Sequence, residues 1–308
     1  MTQPVIEVHG AVKRFGAVDA ASGVDLTIEA GEIFGLIGHN GAGKSTLFKM
    51  MLGLIPATAG EIHINGCPVR GPMFREVRRH LGYLPENVVL YDNLSGLETL
   101  RFIASLKGVP GEECGAMLER VGLSHAGDRR VKTYSKGMRQ RLGFAQALLG
   151  NPILLFLDEP TNGLDPEGIR EFYRIVREQR DRGATIVLTS HILAEIQQRV
   201  DRLAIMKNGK LQALGTVSSL RESMHLPLWF ELRVAPESHE ALRLALASIA
   251  GVEIEFIDER ATVRCDRDAR MTVLTALSAL GDRVTELGIR EPSLEDVFHG
   301  YCELREVS

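Results

Sequence analysis

Glu32-Ile-Phe-Gly-Leu-Ile-Gly-His-Asn-Gly-Ala-Gly-Lys-Ser-Thr46 is the stretch that decides the fold. Its second half, Gly38 to Ser45, fits the pattern G-x-x-x-x-G-K-[ST] without a gap. The apolar run before it reads as a buried strand. After it, Leu47, Met50, Met51 and Leu54 recur at i, i+3, i+4 and i+7, one face of a helix. Strand, glycine-rich loop and helix together are the context in which this pattern binds phosphate. The glycines let backbone N–H groups turn inward, and the helix N-terminus adds partial positive charge. Lys44 is placed to reach β- and γ-phosphates, Ser45 to offer its hydroxyl to Mg²⁺, and Thr46 to add a further hydroxyl contact.

Working outward, other strands and helices fall into place. Val5–Val8, Val24–Ile28 and Glu61–Ile64 read as short strands of an antiparallel layer beside the nucleotide strand. From about 87 to 151 the pattern turns helical. Ile153–Leu157 and Thr185–Thr189 are continuous apolar runs suited to buried parallel strands, with an amphipathic helix over Glu167–Arg182 between them. Asn208-Gly209 marks a hairpin. Gly215–Leu226 reads as a polar boundary. Beyond it the order is β-α-β-β-α-β, expected to form a ferredoxin-like α+β unit. A last helix over Ser293–Tyr301 opens with a capping box, Ser293-Leu-Glu-Asp296.

Composition narrows the function. At 308 residues there is room for two domains, and a net charge of −4 gives no basic field for nucleic acid. Two short basic clusters, Arg75–His80 and Arg129–Lys132, lack interleaved aromatics and read as solvated or subunit-contacting faces. No nucleic-acid partner is expected. No apolar stretch approaches the roughly 18–20 residues needed to span a bilayer. No export signal is read at the N-terminus. Cys67, Cys114, Cys265 and Cys302 form no C-x-x-C pair, as expected of a reduced, cytoplasmic protein.

The chemistry gathers at the ends of two strands. Asp158-Glu159-Pro160 follows the Ile153–Leu157 run. A carboxylate there can hold Mg²⁺, and the next can deprotonate an attacking water. Asp158 takes the metal role and Glu159 that of general base. His191, after the Thr185–Thr189 strand, is placed to position that water.

These residues show a resemblance. Gly38–Thr46, Tyr134-Ser-Lys-Gly-Met-Arg-Gln-Arg141, Phe156-Leu-Asp-Glu-Pro160, Gly163-Leu-Asp165 and Thr189-Ser-His191 together resemble the nucleotide-binding domain of ABC transporters. The likeness covers residues 1–220. It implies an α/β P-loop domain with a helical subdomain near 87–151, followed by an accessory domain over 226–308. It also implies ATP and Mg²⁺ as ligands, with Gly38, His39, Asn40, Gly41, Ala42, Gly43, Lys44, Ser45 and Thr46 around phosphate. By the same resemblance Phe15 stacks on adenine, Glu86 joins Ser45 and Asp158 at the metal, and Glu159 and His191 are catalytic. Ser135, Lys136, Gly137 and Met138 form a signature that contacts ATP bound by the opposite subunit, and Asp165 lies in the interface loop. One phosphate loop and one signature per chain imply a head-to-tail homodimer with ATP between the copies.

The resemblance has departures. The common signature Leu-Ser-Gly-Gly-Gln is here Tyr134-Ser-Lys-Gly-Met138, as in the ABC-2-type branch. Glu86 replaces the usual glutamine, and Asn162-Gly-Leu-Asp165 replaces Ser-Ala-Leu-Asp. Glu291-Pro-Ser-Leu-Glu-Asp-Val-Phe298 resembles the tail of ABC-2-type ATPase subunits, which pair with separate permeases. Leu81–Val88, Leu94–Arg101, Arg129–Gly143, Ala145–Gly150 and His39 are similar to the ATPase subunit of transporters serving copper-site assembly in nitrous oxide reductase. That likeness implies an integral membrane permease partner, a periplasmic accessory subunit reached through it, and attachment to the inner face of the cytoplasmic membrane. The segment Asn87–Lys107 would receive the permease helices, or serve as ordinary subdomain core. A generic ABC-2-type exporter ATPase and a soluble non-transport ABC ATPase are the alternatives.

Overall fold

The computed structural model describes residues 4–190, 192–224 and 226–303. The chain falls into two compact units, Met1–Thr216 and Val217–Ser308.

The first unit holds two sheets. Strands β1 (Pro4–Phe15) and β2 (Val18–Glu29) are longer than the sequence suggested, and both bend through register shifts. Three of the shifts fall between Val8 and Arg14, beyond Val5–Val8, the part of β1 whose alternation reads as strand. β3 (Ile33–Ile37) is buried throughout and leads into α1 (Lys44–Met51). That helix stops earlier than its apolar spacing suggests. Gly53 adopts φ +64°, and Leu54 lies beyond the helix, more than half exposed. β4 (Ala59–Ile64), β5 (Cys67–Pro68) and α2 (Phe74–Arg79) follow. The antiparallel sheet runs β2-β1-β4-β5.

After β6 (Leu81–Leu84) come α3 (Gly96–Lys107), α4 (Glu113–Arg120) and α5 (Lys136–Leu148). α3 starts at a reciprocal capping box, with Glu98 N–H on Ser95 Oγ and Ser95 N–H on the Glu98 carboxylate. Tyr134, just before α5, is buried and donates its hydroxyl to Ala126 O at 2.6 Å. β7 (Leu154–Leu157), α6 (Pro166–Asp181), β8 (Thr185–Ser190) and the short α7 (Leu193–Ile196) complete a β-α-β unit. β9 (Arg202–Lys207) and β10 (Lys210–Gly215) form the expected hairpin, with Asn208 and Gly209 both at positive φ.

The second sheet runs β10-β9-β3-β8-β7-β6. The pairs β9–β3, β3–β8, β8–β7 and β7–β6 are all parallel. Burial on both faces explains why β3, β7 and β8 read as unbroken apolar runs. Phe48 of α1 meets Phe156 of β7 edge to face, ring centroids 5.4 Å apart, so the helix after the glycine loop is anchored on the strand carrying Asp158. Because the strands are parallel, the carboxyl ends of β3, β8, β7 and β6 come out side by side. That edge is where open α/β sheets bind ligands.

The second unit begins with α8 (Val217–Ser223), so the stretch read as a polar boundary contains a helix with Leu220 buried. β11 (Leu228–Val234), α9 (His239–Leu246), β12 (Glu253–Ile257), β13 (Arg260–Cys265), α10 (Arg270–Ser278), β14 (Val284–Arg290) and α11 (Leu294–Glu303) follow. Its sheet runs β12-β13-β11-β14, with every neighbouring pair antiparallel. Leu228, Phe230, Leu232, Val263, Val273 and Leu277 are among its buried core. The capping box at Ser293 is present: Asp296 N–H donates to Ser293 Oγ, and Ser293 N–H to the Asp296 carboxylate.

Candidate functional site

The loop after β3 closes on itself. Lys44 is buried, and its Nζ donates to Gly38 O at 2.5 Å and His39 O at 3.2 Å, across the loop it ends. Gly38 must be glycine, since an added Cβ would meet Ala42 Cβ at 2.8 Å and Met206 O at 2.5 Å. Gly43 adopts φ +103° and caps α1 without a side chain, leaving the first N–H groups of the helix turned outward.

Two strands away stand the carboxylates. β7 and β8 pair Leu157 with Leu188, so Asp158 comes out beside Thr189. Thr189 Oγ1 donates to Asp158 Oδ1 at 2.7 Å and accepts the Glu159 N–H at 2.8 Å. Glu159 sits at φ +46°, a left-handed conformation that costs a non-glycine residue about 1 kcal/mol. The Thr189 hydroxyl holds it there. Ser45 Oγ donates to the same Asp158 Oδ1 at 3.4 Å, and Lys44 Nζ lies 3.9 Å from Glu159 Oε1.

Burial pushes the Lys44 ammonium below its ordinary value, while Glu159, Asp158 and Glu86 pull it back up. Tyr83 in β6 is pushed up to about 12, by burial first and then by Asp158 and Glu86. These carboxylates thus form one negative field around one buried cation.

Asn40, Gly41, Ala42, Gly43, Lys44, Ser45, Thr46, Glu86 and Glu159 line one open hollow, completed by Val18, Asp19, Ala20 and Asn208. Its volume is about 590 Å³, within the roughly 300–1,000 Å³ of small-molecule sites. Phe15 is half exposed at the end of β1, just before the lining residues Val18–Ala20, with Lys13 Nζ 4.9 Å from its ring centroid. Gly38 and His39 contribute carbonyls to Lys44 rather than to the hollow's wall. His191 lies outside the described residues.

Among the described residues, no three His, Cys, Asp or Glu side chains converge as a metal cage. The donors near Lys44 are the Ser45 hydroxyl and the Asp158 and Glu86 carboxylates, an all-oxygen set. Such a set suits Mg²⁺, which is usually held by one or two carboxylates, substrate phosphates and water.

The signature residues lie elsewhere on the chain. Ser135, Lys136, Gly137, Met138 and Asp165 line a second hollow, of about 480 Å³, with no lining residue in common with the first. Ser135 caps α5, its Oγ accepting the Met138 N–H at 3.2 Å. Asp165 caps α6 through the Gly168 N–H at 3.0 Å and lies 3.4 Å from Arg141. The two departures noted here fit one another. Gly163 adopts φ +85°, and a Cβ on it would sit 2.9 Å from Cγ and Cδ of Lys136. The lysine stem fills the space that the absent alanine side chain leaves.

Sequence reasoning gave Thr189 and Gln140 no role. Thr189 is fully buried and bridges both carboxylate residues. Its signal was a polar residue closing an apolar run at the height of Asp158. Gln140 is buried in α5, and its Nε2 donates to Pro160 O at 3.0 Å, tying the signature helix to the loop after Glu159.

Comparison with known proteins agrees with this geometry. The sequence pattern of the ABC transporter family matches residues 21–162. The uncharacterized ABC transporter ATP-binding protein YhcH of Bacillus subtilis is 36% identical, over 96% of this chain and 94% of its own. The daunorubicin/doxorubicin resistance ATP-binding protein DrrA of Streptomyces peucetius is 35% identical over 96% and 92%. The bacitracin transport ATP-binding protein BcrA of Bacillus licheniformis is 41% identical over 67% and 68%. A solved structure of an ATP-binding subunit of an ABC transporter superposes with TM-score 0.66 at 34% identity, covering 71% of this chain and 92% of that one. Likeness across nearly the full length of both YhcH and DrrA leaves one family: this chain belongs to the ABC transporter ATP-binding proteins, which are transport-coupled ATPases.

Proposed function

We propose that the chain is the ATP-hydrolysing subunit of an ABC-2-type exporter, in which two copies sandwich two ATP molecules head to tail beneath a separate membrane permease. The observation that carries this reading is the pair of distinct hollows. One chain offers a phosphate loop with its carboxylates in one hollow and a helix-capping signature in another, and in this reading each ATP takes the loop from one copy and the signature from the other. The relatives' names, daunorubicin/doxorubicin resistance and bacitracin transport, support export, and their description as ATP-binding proteins supports a permease on another chain.

In this reading the loop N–H groups and the α1 N-terminus receive the phosphates, and Lys44 leaves its own loop carbonyls for the β- and γ-phosphates. Phe15 stacks on adenine. Glu159 accepts a proton from water as the water oxygen bonds to the γ-phosphorus and the β–γ bridging bond breaks, giving ADP and phosphate. His191 orients that water. Ser45, Asp158 and Glu86 would hold Mg²⁺, which when bound neutralises charge on the phosphate oxygens. From the opposite copy, Ser135, Lys136, Gly137 and Met138 close over the γ-phosphate, and Asp165 crosses between the copies. Closing favours one permease conformation, a population shift drawn from differential ATP binding. The test is steady-state ATPase activity of wild type, Glu159→Gln and Lys44→Ala, together with co-purification of a membrane protein. Turnover lost in both variants and a membrane partner support the reading; undiminished turnover in either contradicts it.

Residues 1–220 are assigned as the nucleotide-binding domain, with the helical subdomain at about 87–151, and 226–308 as a ferredoxin-like domain. Support for the latter is the antiparallel order β12-β13-β11-β14 with α9 and α10 as crossovers. Location at the inner face of the cytoplasmic membrane follows from the permease. The narrower pathway, copper-site maturation of nitrous oxide reductase, rests on the stretches within residues 81–150 and His39 alone. DrrA and BcrA carry drug and antibiotic names instead, and the periplasmic accessory subunit stands or falls with that pathway. Copper content of the reductase in a deletion strain decides it.

A further inference from the structure

β14 closes one edge of the C-terminal sheet, paired with β11 on one side and, among the described residues, with no strand on the other. Every residue from Thr285 to Arg290 is exposed. Leu287 and Ile289 lie opposite Leu232 and Phe230, two core residues, yet remain 46% and 36% exposed. They lie on the same face of the sheet as those core residues, at its edge, and are only partly covered. Edge strands are ordinarily blunted by bulges, prolines or short length. Here the ladder with β11 is regular from Glu286 to Arg290, and its one irregularity lies before Glu286.

The strand also matches itself. Turned about a two-fold axis through Gly288, Glu286-Leu-Gly-Ile-Arg290 sets Glu286 opposite Arg290 of a second copy and Leu287 opposite Ile289, each twice. Moving the axis to Leu287 puts Glu286 opposite glycine and Thr285 opposite Ile289. Moving it to Ile289 puts Leu287 opposite Glu291 and Glu286 opposite Pro292. Only the axis at Gly288 satisfies both charges and both apolar side chains, the cross-strand pairs that stabilise sheets. The centre is open as well: a Cβ on Gly288 would meet only Glu231, at 3.8 Å and 3.9 Å. Within one chain, Glu286 already lies 3.2 Å from Arg233, and Arg290 lies 3.8 Å from Glu231 with its guanidinium 4.6 Å from the Trp229 ring centroid. Pairing continues these alternating charges from one sheet into the next.

We propose that β14 is a homodimerisation edge, joining two copies of this chain antiparallel through Glu286–Arg290 about Gly288. The contact needs no nucleotide and is independent of the ATP sandwich. It holds two copies at high effective concentration for that closure.

Cysteine cross-linking of the full chain, without nucleotide and with Cys67 and Cys302 replaced by serine, tests it. Directly opposed residues stand roughly 4.5–5.5 Å apart, within disulfide reach. Gly288→Cys should therefore cross-link to itself about tenfold or more faster than Glu286→Cys does to itself. A mixture of Glu286→Cys and Arg290→Cys should cross-link between the two variants. By sedimentation, the wild type without nucleotide should be a dimer, and Leu287→Arg a folded monomer. Equal cross-linking at all three positions, no cross-linking at Gly288→Cys, or a monomeric wild type overturns the proposal.

Discussion

Replacing Thr189 by valine keeps the shape of a fully buried side chain and deletes one hydroxyl. That hydroxyl makes two bonds, to Asp158 Oδ1 at 2.7 Å and from the Glu159 N–H at 2.8 Å. The first involves a charged acceptor, worth about 1.5–3 kcal/mol, and the second a neutral donor, worth about 0.5–1.5 kcal/mol. With no cavity left behind, Thr189→Val should destabilise the N-terminal unit by about 2–4 kcal/mol. The larger consequence is for turnover. Glu159 loses the bond that holds its left-handed backbone, and its carboxylate drifts from the position set beside Lys44. A misplacement near 1 Å costs on the order of a hundredfold, so kcat should fall by about tenfold to a hundredfold. Thr189→Ser retains the hydroxyl and should keep turnover within about threefold, at a stability cost of about 1 kcal/mol for the lost methyl. Stability is read from urea unfolding by circular dichroism. Emission of Trp229, the one tryptophan, reports the C-terminal unit separately. Valine leaving kcat unchanged and stability within about 0.5 kcal/mol of wild type would refute the bridging role of Thr189.

Three further outcomes follow from the same geometry. Gly163→Ala forces a left-handed alanine against the Lys136 stem, at a cost of roughly 1–2 kcal/mol; part of that cost should disappear with Lys136→Ala, measured as a double-mutant cycle. Gly96→Ala drives a Cβ into the Tyr134 hydroxyl and should destabilise the helical segment by about 1–3 kcal/mol, partly relieved by Tyr134→Phe. Burial lowers Lys107 from the ordinary 10.5 to about 8 while its Nζ donates to Leu149 O. Between those values the unfolded chain binds more protons than the folded one, so this residue's contribution to stability rises from pH 8 toward 10.5. Lys107→Met should flatten that rise and stabilise the protein at neutral pH by about 1–2 kcal/mol, seen in unfolding curves across pH.

What could be read from the sequence was what is local. The glycine loop, the apolar runs of β3, β7 and β8, the Asn208-Gly209 hairpin and the Ser293 capping box each depend on neighbours within a few residues. Periodicity alone overran α1 to Leu54, because apolar spacing continues past the point where Gly53 turns the chain. The helix α8 was hidden in a polar segment, as one buried leucine leaves no period to detect. Thr189 and Gln140 were silent because their partners, Asp158 and Pro160, are set by strand register and helix packing rather than by spacing. Lys136 and Gly163 looked like separate departures in the sequence; in space they are one adjustment, a longer side chain over a missing one.

The composite ATP site is tested most directly by nucleotide retained after gel filtration. Glu159→Gln in the presence of Mg²⁺ should keep one ATP per chain without hydrolysing it, since the proposed base is lost and the loop is intact. Adding Ser135→Arg should empty the site, although Ser135 and Lys44 line different hollows of the same chain. Retention of ATP by the Glu159→Gln, Ser135→Arg double variant would contradict the account.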